Sequence, residues 1–240
     1  MSGHSKWNNI KHKKEKSDAA KAKIFTKIGK EMAVAIKAGG PDPNNNNKLR
    51  DLIAKAKANN VPNENIQRTI KKFTDNSDIN YEEIVYEGYG PSGVAIIVET
   101  QTDNRNRTAG NVRAWFNKYG GNMGQSGCVS YLFEEKGVIT IIDEDEEIEE
   151  DKIMEDALES GAEDIKCEEG EYTIYTATDD LDAVRDAIIA LGYKIDTADV
   201  AKVPSTYVEL SDEDAENMEK MLDKFNEDDD VNAVYHNWDN

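Results

Sequence analysis

Residues 137–203 read GVITIIDEDEEIEEDKIMEDALESGAEDIKCEEGEYTIYTATDDLDAVRDAIIALGYKIDTADVAKV. Gly137 to Asp143 is a β-branched run of strand length, and Glu149 to Ser160 places its apolar residues at helical spacing before stopping at Gly161. Ile165 to Ala177 folds about Glu169-Gly170 as a hairpin, Leu181 to Leu191 returns to helical spacing, and Lys194 to Val203 is again a strand. The order βαββαβ specifies a complete ferredoxin-like unit within these residues.

The flanks read as the two halves of a second such unit. Upstream, Gly93 to Thr100 is a β-branched strand, Asp103 to Tyr119 a helix with Val112, Trp115, Phe116 and Tyr119 inward, and Cys128 to Glu134 a strand after the Gly120-Gly121 break. Downstream, Thr206 to Leu210 supplies a strand, Ser211 to Phe225 a helix opened by a Ser-x-x-Asp cap, and Val231 to His236 a last strand. Residues 77–133 and 204–240 therefore form one discontinuous α+β domain, with 134–203 inserted into it. Ahead of both lie three helices: Ser17 to Ile36, ended by Gly39-Gly40-Pro41; Lys48 to Asn59, with Leu49, Leu52, Ile53 and Ala56 on one face; and one after Pro62 that aligns Ile66, Ile70 and Phe73. The expected fold class is α+β, a helical domain over residues 1–76 followed by two ferredoxin-like domains.

Charge divides along the same boundaries. The first 76 residues carry 17 Lys and Arg against 7 Asp and Glu, whereas the remaining 164 carry 12 against 42, so a net +10 is joined to a net −30. Such a split equips one end of a chain to meet a polyanion and the other to repel it. Residues 77–130 are nearly neutral, with 4 basic against 6 acidic side chains, and belong with the basic module on the expected binding side.

Several function classes drop out. No apolar run approaches the roughly 18 residues of a membrane span, and MSGHSKW has no signal core, so the expectation is a cytoplasmic protein. Cys128 and Cys167 have no CxxC spacing, and His4, His12 and His236 form no metal pair, so neither metal nor disulfide is expected. Gly88 to Gly93 matches GxGxxG but feeds a strand, where a dinucleotide loop must feed a helix N-terminus. The acidic runs Asp143 to Asp151 and Asp228 to Asp230 lack the glycine of a calcium loop and read as solvated surface. With no nucleophile elbow and no phosphate-binding loop, no enzyme, cofactor or small-molecule substrate is expected.

Three features point toward nucleic acid. On a wheel of about 100° per residue, Ile24, Phe25, Ile28, Met32, Ala35 and Ile36 fall within roughly 0–120°, and Lys16, Lys23, Lys27, Lys30 and Lys37 within roughly 220–300°. A lysine stripe with no acidic residue on it suits phosphates better than a solvated face of mixed sign. Ahead of it runs a basic arm, His4, Ser5, Lys6 and Trp7, then Lys11, His12, Lys13 and Lys14, in which Trp7 either stacks on an unpaired base or plugs the helical bundle. Third, Asn104, Arg105 and Arg107 open a helix after a strand, a place where an anion can dock or where the arginines pair with neighbouring carboxylates such as Glu99.

GHSKWNNIKHKKEKSDAAKAKIFTKIGKEM, AKANNVPNENIQRTIKK, YEGYGPSGVAIIVETQTDNRNRTAGNVR, GGNMGQSGCVSYLFEEKGVI and the closing VYHNW, in that order, resemble the YebC/PmpR family of bacterial gene-expression regulators. The resemblance spans the chain and implies a three-domain α+β protein, a helical domain and two ferredoxin-like ones, and a probable transcriptional regulator that binds DNA. It also implies a competing role, since mitochondrial relatives are similar to translational activators and some bacterial members relieve ribosomes stalled at proline-rich sequences. The expected partner is thus DNA, ribosomal RNA or the ribosome. A third expectation, from charge alone, is a protein-interaction module whose basic domain docks on its own acidic domains. The helices carry no helix-turn-helix sequence signature, so little base reading in a major groove is expected.

Overall fold

The computed structural model describes residues 18–75, 80–143, 148–168 and 170–239, with side chains from Lys23 onward. The chain divides into two compact units, Tyr131–Tyr207 and a larger one that combines Trp7–Ser130 with Val208–Trp238.

The larger unit begins with three helices: α1 (Asp18–Gly39), α2 (Asn47–Ala58) and α3 (Asn63–Thr74). Ile28, Met32, Ala35 and Ile36 of α1 bury against Leu49, Leu52 and Ala56 of α2 and Ile66 of α3, the faces that the periodicity selects. Gly40 ends α1 at φ +83°, a conformation that glycine adopts without the steric cost of a Cβ. Buried Asn46 then joins two helix ends: its Oδ1 accepts from Leu49 N (3.1 Å) as the N-cap of α2, and its Nδ2 donates to Ala35 O and Gly40 O (both 2.8 Å). That use satisfies donors and acceptors that helix termini otherwise leave open.

Strand β1 (Glu82–Tyr89) follows, turns through Pro91–Gly93 and pairs antiparallel with β2 (Ala95–Thr102). Helix α4 (Arg105–Lys118) leads to the two-residue β3 (Asn122–Met123), which returns to the free edge of β1. β1 was not expected: its three glutamates conceal the Ile84-Val85-Tyr86 strand signal. The expected strand from Cys128 to Glu134 is not there. A Ser130–Leu132 turn takes its place, and Phe133 instead begins β4 (Phe133–Ile142), one continuous strand through Gly137. The physical reason is a buried carboxylate. Glu87 accepts from Gly127 N (2.8 Å) at Oε1 and from Val129 N and Ser130 N (both 2.9 Å) at Oε2, which consumes the amides that a strand would need.

In the Tyr131–Tyr207 unit, β4 is followed by α5 (Glu150–Glu159), β5 (Asp164–Glu168), β6 (Glu171–Thr176), α6 (Leu181–Ala190) and β7 (Thr197–Pro204). The sheet order β5-β6-β4-β7, antiparallel throughout, is that of a ferredoxin-like unit. Ile139, Ile141 and Ile174 of the sheet bury against Ile153 and Ala157 of α5 and Val184 and Ile188 of α6.

The chain then re-enters the larger unit through β8 (Val208–Glu209), α7 (Asp212–Glu227), β9 (Val231–His236) and β10 (Trp238–Asp239). β9 joins β2, giving the order β3-β1-β2-β9, with Val112 and Phe116 of α4 and Met218, Met221, Leu222 and Phe225 of α7 in the core. The route differs from the one expected: β1 and β2 form a tight hairpin at the front, and the Thr206–Leu210 segment, expected in this sheet, supplies only β8, paired with β10 in a separate ribbon. Ser211 caps α7, its Oγ accepting from Asp214 N (3.3 Å). Ser211→Ala is expected to cost about 1 kcal/mol and to increase exchange in the first turn of α7, measured by amide hydrogen exchange.

Candidate nucleic-acid interface

The lysine face of α1 lies opposite its apolar face, as the wheel places it, but it is not bare. Lys23 Nζ donates to Glu227 O (3.0 Å), Lys30 Nζ to Asp229 O (2.8 Å) and to Asp230 Oδ1 (2.6 Å), and Lys37 Nζ to Asn80 Oδ1. These three are spaced by seven residues and form one line along α1. Lys27, from the same stripe, also has its interactions within the chain. The acidic partners are about 200 residues away in sequence, which is why the helix read alone has none.

The receiving surface is the end of α7 and the turn after it. Glu227 is the last residue of α7, and its carbonyl belongs to the electron-rich end of a helix, which has no intrahelical donor left for it. The turn Asp228–Asp230 is held in shape by Asp230 N donating to Asp228 Oδ1 (2.7 Å) and by Asn111 Nδ2 donating to Asp228 Oδ2 (3.1 Å).

Asp230 is the centre of the arrangement. Its side chain is 7% exposed, and that of Lys30 11%. Oδ1 takes Lys30; Oδ2 accepts from Arg107 Nη2 (2.5 Å), Thr108 Oγ1 (2.9 Å) and Thr102 Oγ1 (3.1 Å). Burial pushes the Asp230 carboxyl upward, but the bonds from Lys30, Arg107 and Thr108 outweigh it and hold its pKa at about 2. Arg107 is raised in turn, first by Asp230 and then by Asp103, whose Oδ1 it reaches at 2.8 Å. Lys30 also lies 5.6 Å from the ring centroid of Tyr81.

Asn104 caps α4, its Oδ1 accepting from Arg107 N (3.1 Å), and Arg105 is exposed. Arg107 therefore pairs with carboxylates, as one of the two expectations has it, although with Asp103 and Asp230 rather than Glu99. The structure brings Lys23, Lys30 and Arg107 to one acidic turn and leaves Arg105 outside it. His4, Ser5, Lys6, Trp7, Lys11, His12, Lys13, Lys14 and Lys16 lie outside the described residues. Asp230 was missed in the sequence, where Asp228 to Asp230 read as solvated surface. The available signal was an acidic run at the C-terminal end of an amphipathic helix, where negative charge opposes the helix dipole and calls for a cation.

Residues 5–76 match the family model described as the TACO1/YebC protein N-terminal domain, and residues 81–238 the one described as TACO1/YebC second and third domain. The chain is 55% identical to a probable transcriptional regulatory protein of Lachnoclostridium phytofermentans, covering 100% of both chains. It is likewise 55% identical to a protein so named in Acetivibrio thermocellus, covering 99% of each. The crystal structure of a conserved hypothetical protein from Aquifex aeolicus is similar with a TM-score of 0.81 and 43% identity, over 92% of this chain and 91% of that one.

Proposed function

We propose that this chain, which belongs to the TACO1/YebC family, is a regulator of gene expression that binds DNA through its basic helical domain. The observation that carries this reading is the +10 charge of residues 1–76 on a chain that is otherwise −30. Phosphate neutralisation rewards clustered lysines, and the acidic remainder restricts approach to the basic end. The naming of relatives as probable transcriptional regulatory proteins supports the same reading. Catalysis is no part of it.

A second reading has one specific observation in its favour. The contacts of Lys23 and Lys30 with Glu227, Asp229 and Asp230 are those of a basic helix docked on its own acidic turn. On that reading the lysine face of α1 joins the helical bundle to the rest of its unit, and the arm and the remaining helices are what meets a partner.

The test is fluorescence anisotropy of a short DNA duplex, and of single- and double-stranded RNA, over a salt series. The expected result is duplex DNA binding whose log K falls linearly with log salt, by about 0.9 for each phosphate contacted. Removal of residues 1–16, with their five lysines, is expected to weaken binding and flatten that slope. A full-length chain that binds none of these probes at low salt refutes the reading.

A further inference from the structure

With the central lysines of α1 committed to the chain's own acidic turn, the cations left facing outward lie elsewhere in the bundle. α3 turns Ile66, Ile70 and Phe73 toward the core and presents Glu64, Gln67, Arg68, Lys71 and Lys72 on the opposite, exposed face. Among the described residues neither Lys71 nor Lys72 has a carboxylate within ion-pair distance; Lys72 lies only over the ring of its neighbour Phe73, 5.2 Å from the centroid. Arg68 pairs with Glu64 one turn back at 3.0 Å, but both side chains are largely exposed. A pair so exposed is weakly held, so Arg68 is readily redirected to a stronger anion.

The way α3 is mounted matters as much as its charge. α2 ends at Ala58, Asn60 takes a left-handed conformation (φ +57°), Val61 N donates back to Ala56 O (3.0 Å), and α3 starts at Asn63, a four-residue turn in all. α1 packs along both α2 and α3, whereas those two meet only over a short stretch. A four-residue turn between two helices, with a third packed on both, is a feature shared with helix pairs that offer their second helix to a DNA groove. The sequence conceals it because the turn is made by asparagine, which tolerates the left-handed region, and not by the usual glycine.

We infer that α3 is the element of this chain that meets duplex DNA, lying in or along the major groove with Arg68, Lys71 and Lys72 on phosphates and Gln67 toward the base edges. The inference rests on the DNA-binding reading above and names the surface for it. A helix about 10–12 Å across fits the major groove of B-form DNA, about 12 Å wide, and does not enter the deep, narrow major groove of an A-form RNA duplex. Gln is a side chain able to make paired hydrogen bonds with adenine.

The experiment compares full-length wild type with K71E/K72E and K71Q/K72Q, and with a control, K136E, in the separate Tyr131–Tyr207 unit. The probes are a short DNA duplex and an RNA duplex of the same sequence, with circular dichroism to verify folding. The expected result is a loss of DNA affinity of tenfold or more for K71E/K72E, a smaller loss for K71Q/K72Q, and no loss for K136E. The salt slope of K71Q/K72Q should be shallower by about 1.8, two phosphate contacts' worth. If wild type binds DNA and both α3 variants bind it equally well, the assignment of α3 is overturned while the DNA-binding reading stands. If wild type prefers the RNA duplex, the groove assignment is overturned; if it binds neither probe, the underlying reading fails first.

Discussion

Asp230→Ala is expected to loosen α1 from the remainder of its unit at a cost of about 3–5 kcal/mol, the usual effect of deleting one partner of a buried charge network. The loss exceeds that of a single surface pair because Lys30 and Arg107 both aim at this carboxylate, and Thr102 and Thr108 lose an acceptor as well. Unfolding of a chain with two units is not a single transition, so the proper readout is amide hydrogen exchange along α1, which should accelerate strongly while β4 to β7 remain protected. Unchanged protection in α1 would show that its packing on α2 and α3 suffices without the network.

The same carboxylate sets an acid dependence. Its pKa falls from 3.8 to about 2 on folding, a difference equivalent to about 2 kcal/mol. A depressed carboxyl stabilises fully above its unfolded pKa, so the contribution is complete above about pH 4–5 and disappears as pH falls through about 2. Exchange in α1 should therefore respond to acid over that window, and in Asp230→Ala the response should be absent. The two readings of the lysine face part company in the same variant. If the acidic turn occupies cations that nucleic acid could use, Asp230→Ala binds duplex DNA more tightly at low salt; if those cations only join structure, its affinity stays at the wild-type value.

Glu87→Ala is the second large effect, with an expected cost of about 3 kcal/mol. Three backbone amides, those of Gly127, Val129 and Ser130, lose a common acceptor, and a buried donor left unpaired costs about 1–3 kcal/mol. Burial alone would raise the Glu87 pKa, but those amides, with Val129 foremost, hold it below the ordinary carboxylate value, so the carboxylate is charged and a full acceptor at neutral pH. Gly124 N also bonds Glu87 O (2.8 Å), so the whole stretch from Gly124 to Ser130 is fastened to β1. Limited proteolysis within that stretch and exchange at the three amides should both rise sharply, with Glu87→Gln intermediate because it keeps one acceptor oxygen. Proteolysis no faster than in wild type would show that the Tyr89 Oη to Cys128 O bond (3.0 Å) and the pairing of β3 hold the loop unaided.

What the chain declares locally, it declares well. The helices of the bundle and the βαββαβ order of residues 137–203 follow from periodicity and from Gly and Pro stops, because each of those elements buries one face and its residues must repeat with the geometry of that face. The apolar and lysine faces of α1 were legible for the same reason, as was the Ser211 cap. What the wheel could not supply was the neighbour. Whether a charged face meets water, a ligand or another part of the chain depends on contacts across some 200 residues, and only the return of α7 and β9 to β2 brings Asp230 against Lys30 and Arg107. β1 and the loop after Gly124 failed in sequence on the same account. Glu87 in a strand reads as an exposed polar residue, and its burial becomes favourable only once three amides from 40 or more residues away converge on it. The sequence by itself determined the elements, their faces and the basic and acidic division. Tertiary structure alone decided which lysines were already paired and which, on α3, still face outward, because electrostatic pairing is settled by distance in space and not along the chain.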